Sequence, residues 1–185
     1  MNLQEILEKW SIKCDVNTLL SMWNESHRSY HNLNHLNDLI NQINEDKSKY
    51  SEKEYDTLIL TALFHDVIYD PSSDVNEERS AEFFIECCVN KTNSDILGIK
   101  QMILDTKSHT SYNMLSEAFN SYDMNIVERN FEELLEWENG ISEEFSIYPV
   151  DAYKEGRLKF LESLLDKYTH NTENLLNLIE YVKSK

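Results

Sequence analysis

The sequence predicts an all-α chain. Two observations carry that reading. Apolar residues recur at spacings of three and four along almost the whole length. Glycine and proline are scarce, 3 and 2 in 185 residues, which leaves little material for the turns of an all-β fold. The length fits one domain, 1–185, built as a helical bundle.

The elements follow in order. Leu3, Ile6, Leu7 and Trp10 make one face of a first helix. Asp15 is placed to cap a second, with Val16, Leu19, Leu20 and Trp23. A third is expected from His31 to Ile43, with Leu36, Leu39, Ile40 and Ile43 as its apolar face. Ser51-x-x-Glu54 is a capping box. It opens the longest helix, through Tyr55, Leu58, Ile59, Ala62 and Leu63 to about Tyr69. Asp70-Pro71-Ser72-Ser73-Asp74 reads as a loop. A fifth helix starts near Asn76 and runs through Phe84 and Cys88. Ser94 to Asp105 is a sixth and Leu115 to Val127 a seventh. Asn130 to Phe145 is helical in pattern, with a break expected at Gly140. Pro149 and Asp151 mark the next start, through Leu158, Leu161 and Leu165 to Tyr168. Thr172 opens the last, to about Lys183. No repeat, low-complexity tract or clear strand is expected.

Composition narrows the function classes. Acidic residues outnumber basic ones 34 to 17, a net charge of −17. Such a chain has no general basic surface for nucleic acid or anionic membrane. It has no apolar run long enough to span a membrane, and its opening MNLQEILEKW reads as an amphipathic helix rather than a leader. Cys14, Cys87 and Cys88 are an odd count without CxxC spacing. They read as reduced core thiols of a cytoplasmic protein.

The chemistry lies in the histidines. In ALFHDVIYDP, residues 62–71, His65 and Asp66 stand side by side among residues that leave water. A buried Asp needs a partner. A divalent ion offsets both desolvation costs together, since imidazole and carboxylate are ordinary ligands. His31 and His35 are four apart and would share one face of a helix. That spacing suits two ligands, or a ligand with a proton donor beside it; the bland alternative is two solvated histidines. Asp123, set among Phe119, Tyr122, Met124 and Ile126, is the candidate for a further carboxylate.

The order His35, His65-Asp66, Asp123 resembles the HD superfamily of metal-dependent phosphohydrolases. The segments RSYHNLNHL, FHDVIYD, NEERSA and DAYKEGR are similar to predicted members whose motifs run RxYHNxxH, FHDxVYD and NExxSA. The likeness covers about residues 23–165. It implies an HD-type helical fold, metal ligands His35, His65, Asp66 and Asp123, and a divalent metal cofactor (Mn, Fe, Co, Ni, Zn or Mg), with the number of ions left open. YHNxxH also resembles the opening motif of cyclic-nucleotide phosphodiesterases, which implies His31 as general acid. Those enzymes carry another His four residues after the HD pair, where this chain has Tyr69. Cyclic nucleotides are therefore not the favoured substrate.

The expected activity is hydrolysis of a small phosphomonoester or phosphodiester, nucleotides included, by metal-activated water. Arg28 and Lys107 are the candidate phosphate clamps, because pre-placed positive charge stabilises the transition state. Glu77 is a candidate for holding water or a second ion, and Arg79 for touching phosphate. Asn76, Glu77 and Glu78 also fit a plain helix start. His109 is a candidate extra ligand that would open a two-metal site; His27 and His170 read as surface residues. Gly156 and Arg157 read as a packing position and a structural ion pair. The rival readings are a non-catalytic HD-fold protein that binds a nucleotide or partner, and a di-iron oxygenase. Sequence leaves the substrate, the metal and the oligomeric state open.

Overall fold

A computed structural model describes residues 2–168 and 170–185. Among the described residues there are ten α-helices and no strand. Ile12 and Cys88 form one isolated antiparallel bridge. No helix is long and apolar enough to cross a membrane. The chain divides into two compact units, Met1–Tyr122 and Asp123–Lys185.

The first unit is organised around one helix. Its elements are α1 (Leu3–Lys9), α2 (Val16–Trp23), α3 (Leu33–Glu45), α4 (Glu52–Phe64), α5 (Asn76–Cys87), α6 (Ser94–Asp105) and α7 (Met114–Asp123), the last of which ends at the unit boundary. Every residue from Leu58 to Phe64 has 0% exposure. A helix apolar on all sides belongs in the middle, and α4 packs against α1, α3, α5 and α6. Both halves of the Ser51–Glu54 capping box are present. Its one buried carboxylate, Asp56, accepts from Lys9 Nζ at 2.5 Å and Trp10 Nε1 at 3.0 Å, as a charge near the core requires. Asp15 caps α2 as expected. The three thiols are free, with Cys87 and Cys88 buried.

The second unit holds a short 3-10 helix (Met124–Glu128), α8 (Phe131–Glu144), a 3-10 turn (Phe145–Ile147), α9 (Val150–Leu165) and α10 (Thr172–Ser184). Helix α10 packs on α8 and α9 through Leu175, Leu178, Ile179 and Val182. That is the three-and-four spacing of an amphipathic face. Glu138 is wholly buried and accepts from Arg157 Nε at 2.7 Å and Tyr153 Oη at 2.9 Å. Arg157 is thus the structural ion pair that the sequence suggests.

Several boundaries differ from expectation. Helix α4 stops at Phe64, with His65 as its C-cap, and does not reach Tyr69. Helix α3 starts at Leu33, so His31 lies in the turn before it, and the shared helical face expected for His31 and His35 does not exist. There Asn32 takes over both ends of the turn: its Oδ1 accepts from Asn34 N at 2.8 Å and its Nδ2 donates to Ser29 O at 2.8 Å. The seventh helix is α-helical only to Asp123 and tightens to 3-10 over Met124–Glu128. Helix α8 runs unbroken through Gly140. An interior glycine costs a helix only about 1 kcal/mol, and here buried Trp137, Glu138 and Ile141 flank it. Gly156 is not a packing position, because a Cβ there would meet nothing within 4 Å.

Candidate metal centre

The ends of α3 and α4 bring the histidines together. His35 lies in the first turn of α3 and His65 caps α4, with 8% and 1% exposure. One ligand atom each from His35, His65 and Asp66 lie within 4.8 Å of one another. His65 Nε2 is 3.4 Å from Asp66 Oδ2, and His31 Nε2 is 4.0 Å from that same oxygen. His65 Nδ1 is 3.1 Å from the Ala62 carbonyl. A carbonyl can only accept, so the ring proton sits on Nδ1, and Nε2 turns its lone pair toward the group. This is how a ligating histidine is oriented in metal sites. Two imidazoles and one carboxylate, gathered this closely, fit a divalent cation.

Aromatic rings enclose the group. Trp23 donates Nε1–H to the Leu63 carbonyl at 2.9 Å. Its ring lies 5.3 Å from that of His65 and 6.2 Å from that of His35. Phe119 of α7 stands 5.5 Å from His65, and Tyr30 stands 5.2 Å from His35. His31 stacks on Tyr69 at 4.4 Å. Such a shell lowers the local dielectric and strengthens any charge interaction within it.

After α4 the chain is held by side chains. Asp66 and Val67 carbonyls accept from Arg28, at 2.8 and 3.0 Å. Ser80 Oγ lies 3.1 Å from Ile68 N and 3.2 Å from Ile68 O. The Tyr69 carbonyl accepts from His27 Nε2 at 2.9 Å. Asn76 takes the Asp70 N–H on Oδ1 at 3.0 Å and donates Nδ2 to the Asp70 carbonyl at 2.9 Å. Five consecutive carbonyls therefore each meet a side-chain donor. This replaces the helix that the apolar pattern predicted to Tyr69. Buried backbone polar groups must be paired, and here Arg28, His27, Asn76 and Ser80 pair them.

The remaining sequence-predicted residues fall as follows. Arg28 is buried, and all five of its N–H donors are engaged: with Glu25 Oε2 through Nε and Nη2, with His31 and Asp66 carbonyls through Nη1, and with Val67 through Nη2. A phosphate clamp needs donors to offer, and the geometry gives Arg28 a framework role instead. Glu77 is half-buried in the first turn of α5. Burial pushes its carboxyl above the usual range, and the neighbouring Asp66 charge adds to the rise. Lys107 donates to Glu78 at 2.6 Å and to the Asp74 carbonyl, linking the turn after α6 to the start of α5. Its Glu78 hydrogen bond holds its ammonium above the usual range. Arg79 is exposed on α5. His109 is half-buried after α6, with φ of 49° in the left-handed region. Among the described residues the compact ligand group is His35, His65 and Asp66. Asp123 closes α7 and is the first residue of the second unit. His27, read from sequence as a surface residue, holds the Tyr69 carbonyl.

Sequence reasoning passed over Trp23, Glu25 and Ser80. Ser80 had a signal: it stands four after Asn76, on the same face of α5. A separate cavity of about 680 Å³ lies at the other end of α4, beside Trp10 and Asp56. Its ions pair with one another, Lys9 with Asp56 and Lys53 with Asp95 at 2.8 Å. No family model, no curated protein and no solved structure matches this chain.

Proposed function

We propose that this chain is a metal-dependent phosphohydrolase of the HD type, acting on a small phosphomonoester or phosphodiester, nucleotides included. The observation that carries the reading is the closeness of His35, His65 and Asp66, with ligand atoms within 4.8 Å. A divalent ion held there would polarise a phosphoryl oxygen and bring a bound water toward neutral pKa. His65 keeps its Nε2 lone pair directed inward through its Nδ1 bond to Ala62. His31, 22% exposed at its side chain and 4.0 Å from Asp66 Oδ2, would pass a proton to the leaving oxygen. Trp23 and Phe119 pack against the His65 ring, and Trp23 against that of His35. Lys107 and Arg79 remain the candidate phosphate contacts, Lys107 by exchanging Glu78 for phosphate. Glu77, whose carboxyl feels the Asp66 charge, would hold a water near Asp66.

Elemental analysis of the untagged protein tests this, beside His65→Ala, Asp66→Ala and Asp123→Asn, the last for the fourth ligand implied by the motif order. About one divalent ion per chain, lost in the first two variants, supports the reading. Hydrolysis of a phosphatase and phosphodiesterase panel with that ion, lost on His31→Ala, would complete it. Two irons would favour an oxygenase. No ion after reconstitution would leave a binding protein.

A further inference from the structure

Arg28 joins the two turns that carry the candidate centre. Its Nη1 donates to the His31 carbonyl at 3.0 Å and to the Asp66 carbonyl at 2.8 Å. One nitrogen thus ties the turn before α3 to the turn after α4. The side chains of those same two residues approach to 4.0 Å. Nη2 extends the hold to the Val67 carbonyl at 3.0 Å. Glu25 Oε2 takes Nε and Nη2 at 3.1 and 3.0 Å and balances the charge.

The guanidinium carbon lies 5.5 Å from the centre of the Trp23 ring and 5.3 Å from that of Tyr69. Trp23 packs on His65 and His35, and Tyr69 stacks on His31. Arg28 therefore neighbours two rings that between them reach His31, His35 and His65. Its side chain has 0% exposure, so it does not reach a bound substrate. We propose that Arg28 is a positioning residue, which sets the separation between the proton donor His31 and the ligand pair His65–Asp66. The inference rests on the metal reading above. Only a planar fork with five donors can span these carbonyls and Glu25 together; a lysine concentrates its donors on one nitrogen.

The test is cobalt(II) affinity of the full chain, by competition with a chromophoric chelator, together with the cobalt absorption spectrum. Arg28→Lys is compared with the parent and with Asp56→Asn, which breaks the half-buried Lys9–Asp56 ion pair at the far end of α4. Glu25→Gln, at a side chain 44% exposed, is the milder variant that keeps the fold if Arg28→Lys does not. The expected result is a loss of affinity of about 10–100-fold in Arg28→Lys, a smaller loss in Glu25→Gln, and altered cobalt bands in both. Asp56→Asn should stay within about twofold of the parent, since distant sites act independently. Parent-like affinity and spectrum in both Arg28→Lys and Glu25→Gln would overturn the positioning role alone. A parent that binds no cobalt would overturn the metal reading and this role with it.

Discussion

His65 Nδ1 donates to the carbonyl of Ala62, 3.1 Å away and three residues back on its own chain. The bond fixes the tautomer and sends Nε2 toward Asp66. An ion that binds the folded state alone stabilises it by mass action, about 2.7 kcal/mol at a hundred times its dissociation constant. Urea unfolding with and without a chelator should therefore differ by about that amount in the parent. In His65→Ala the difference should vanish, because the candidate centre loses one of its three groups. An equal chelator effect in both proteins would show that the ion binds elsewhere.

Ser80 serves both polar groups of Ile68. Ser80→Ala leaves a half-buried N–H and C=O without that partner, a cost of about 1 kcal/mol. Hydrogen exchange should quicken at the Ile68 amide while amides in the middle of α4 keep their protection. Uniform quickening would mean that the turn has no local stability of its own.

In the second unit Glu138 is buried against Arg157 and Tyr153. Removing one partner strands the other's charge, so Glu138→Ala should cost about 3–5 kcal/mol. Replacing the set with Glu138→Leu, Tyr153→Phe and Arg157→Met should restore stability to near the parent, since an apolar set needs no compensation. Urea midpoints of the three proteins decide it. A triple variant as unstable as Glu138→Ala would show that the network itself, not its desolvation, holds the unit.

Acid should weaken the start of α4. Hydrogen bonds from the Ser51 side chain and then its backbone hold the Glu54 carboxyl below its ordinary 4.5. The folded value lies below the unfolded one, so this contribution is present above about pH 4.5 and is lost as pH falls through the folded value. Asp46 behaves alike below its ordinary 3.8, through Lys49 first and then Tyr122. The urea midpoint, followed from pH 7 to pH 2, should fall in this window, and the fall should be shallower in Glu54→Gln. Parallel curves would remove the capping box from the explanation.

The sequence by itself determined the helices and the residue types of the candidate centre. Three-and-four spacing, the Ser51–Glu54 box and the Asp15 cap are local signals, and a helix is made of local hydrogen bonds. His65-Asp66 inside an apolar run was legible for a similar reason, since burying such a pair demands a partner wherever the chain goes. Tertiary structure decided the rest. The apolar run through Val67 and Ile68 continues past the HD pair, yet the helix stops there, because Arg28, His27, Ser80 and Asn76 offer its carbonyls donors from afar. His31 left the helix because Asn32 caps it. Arg28 read as a phosphate clamp because a guanidinium is rare in an acidic chain. Apart from Glu25, its partners prove to be backbone carbonyls, which every residue carries and no sequence marks.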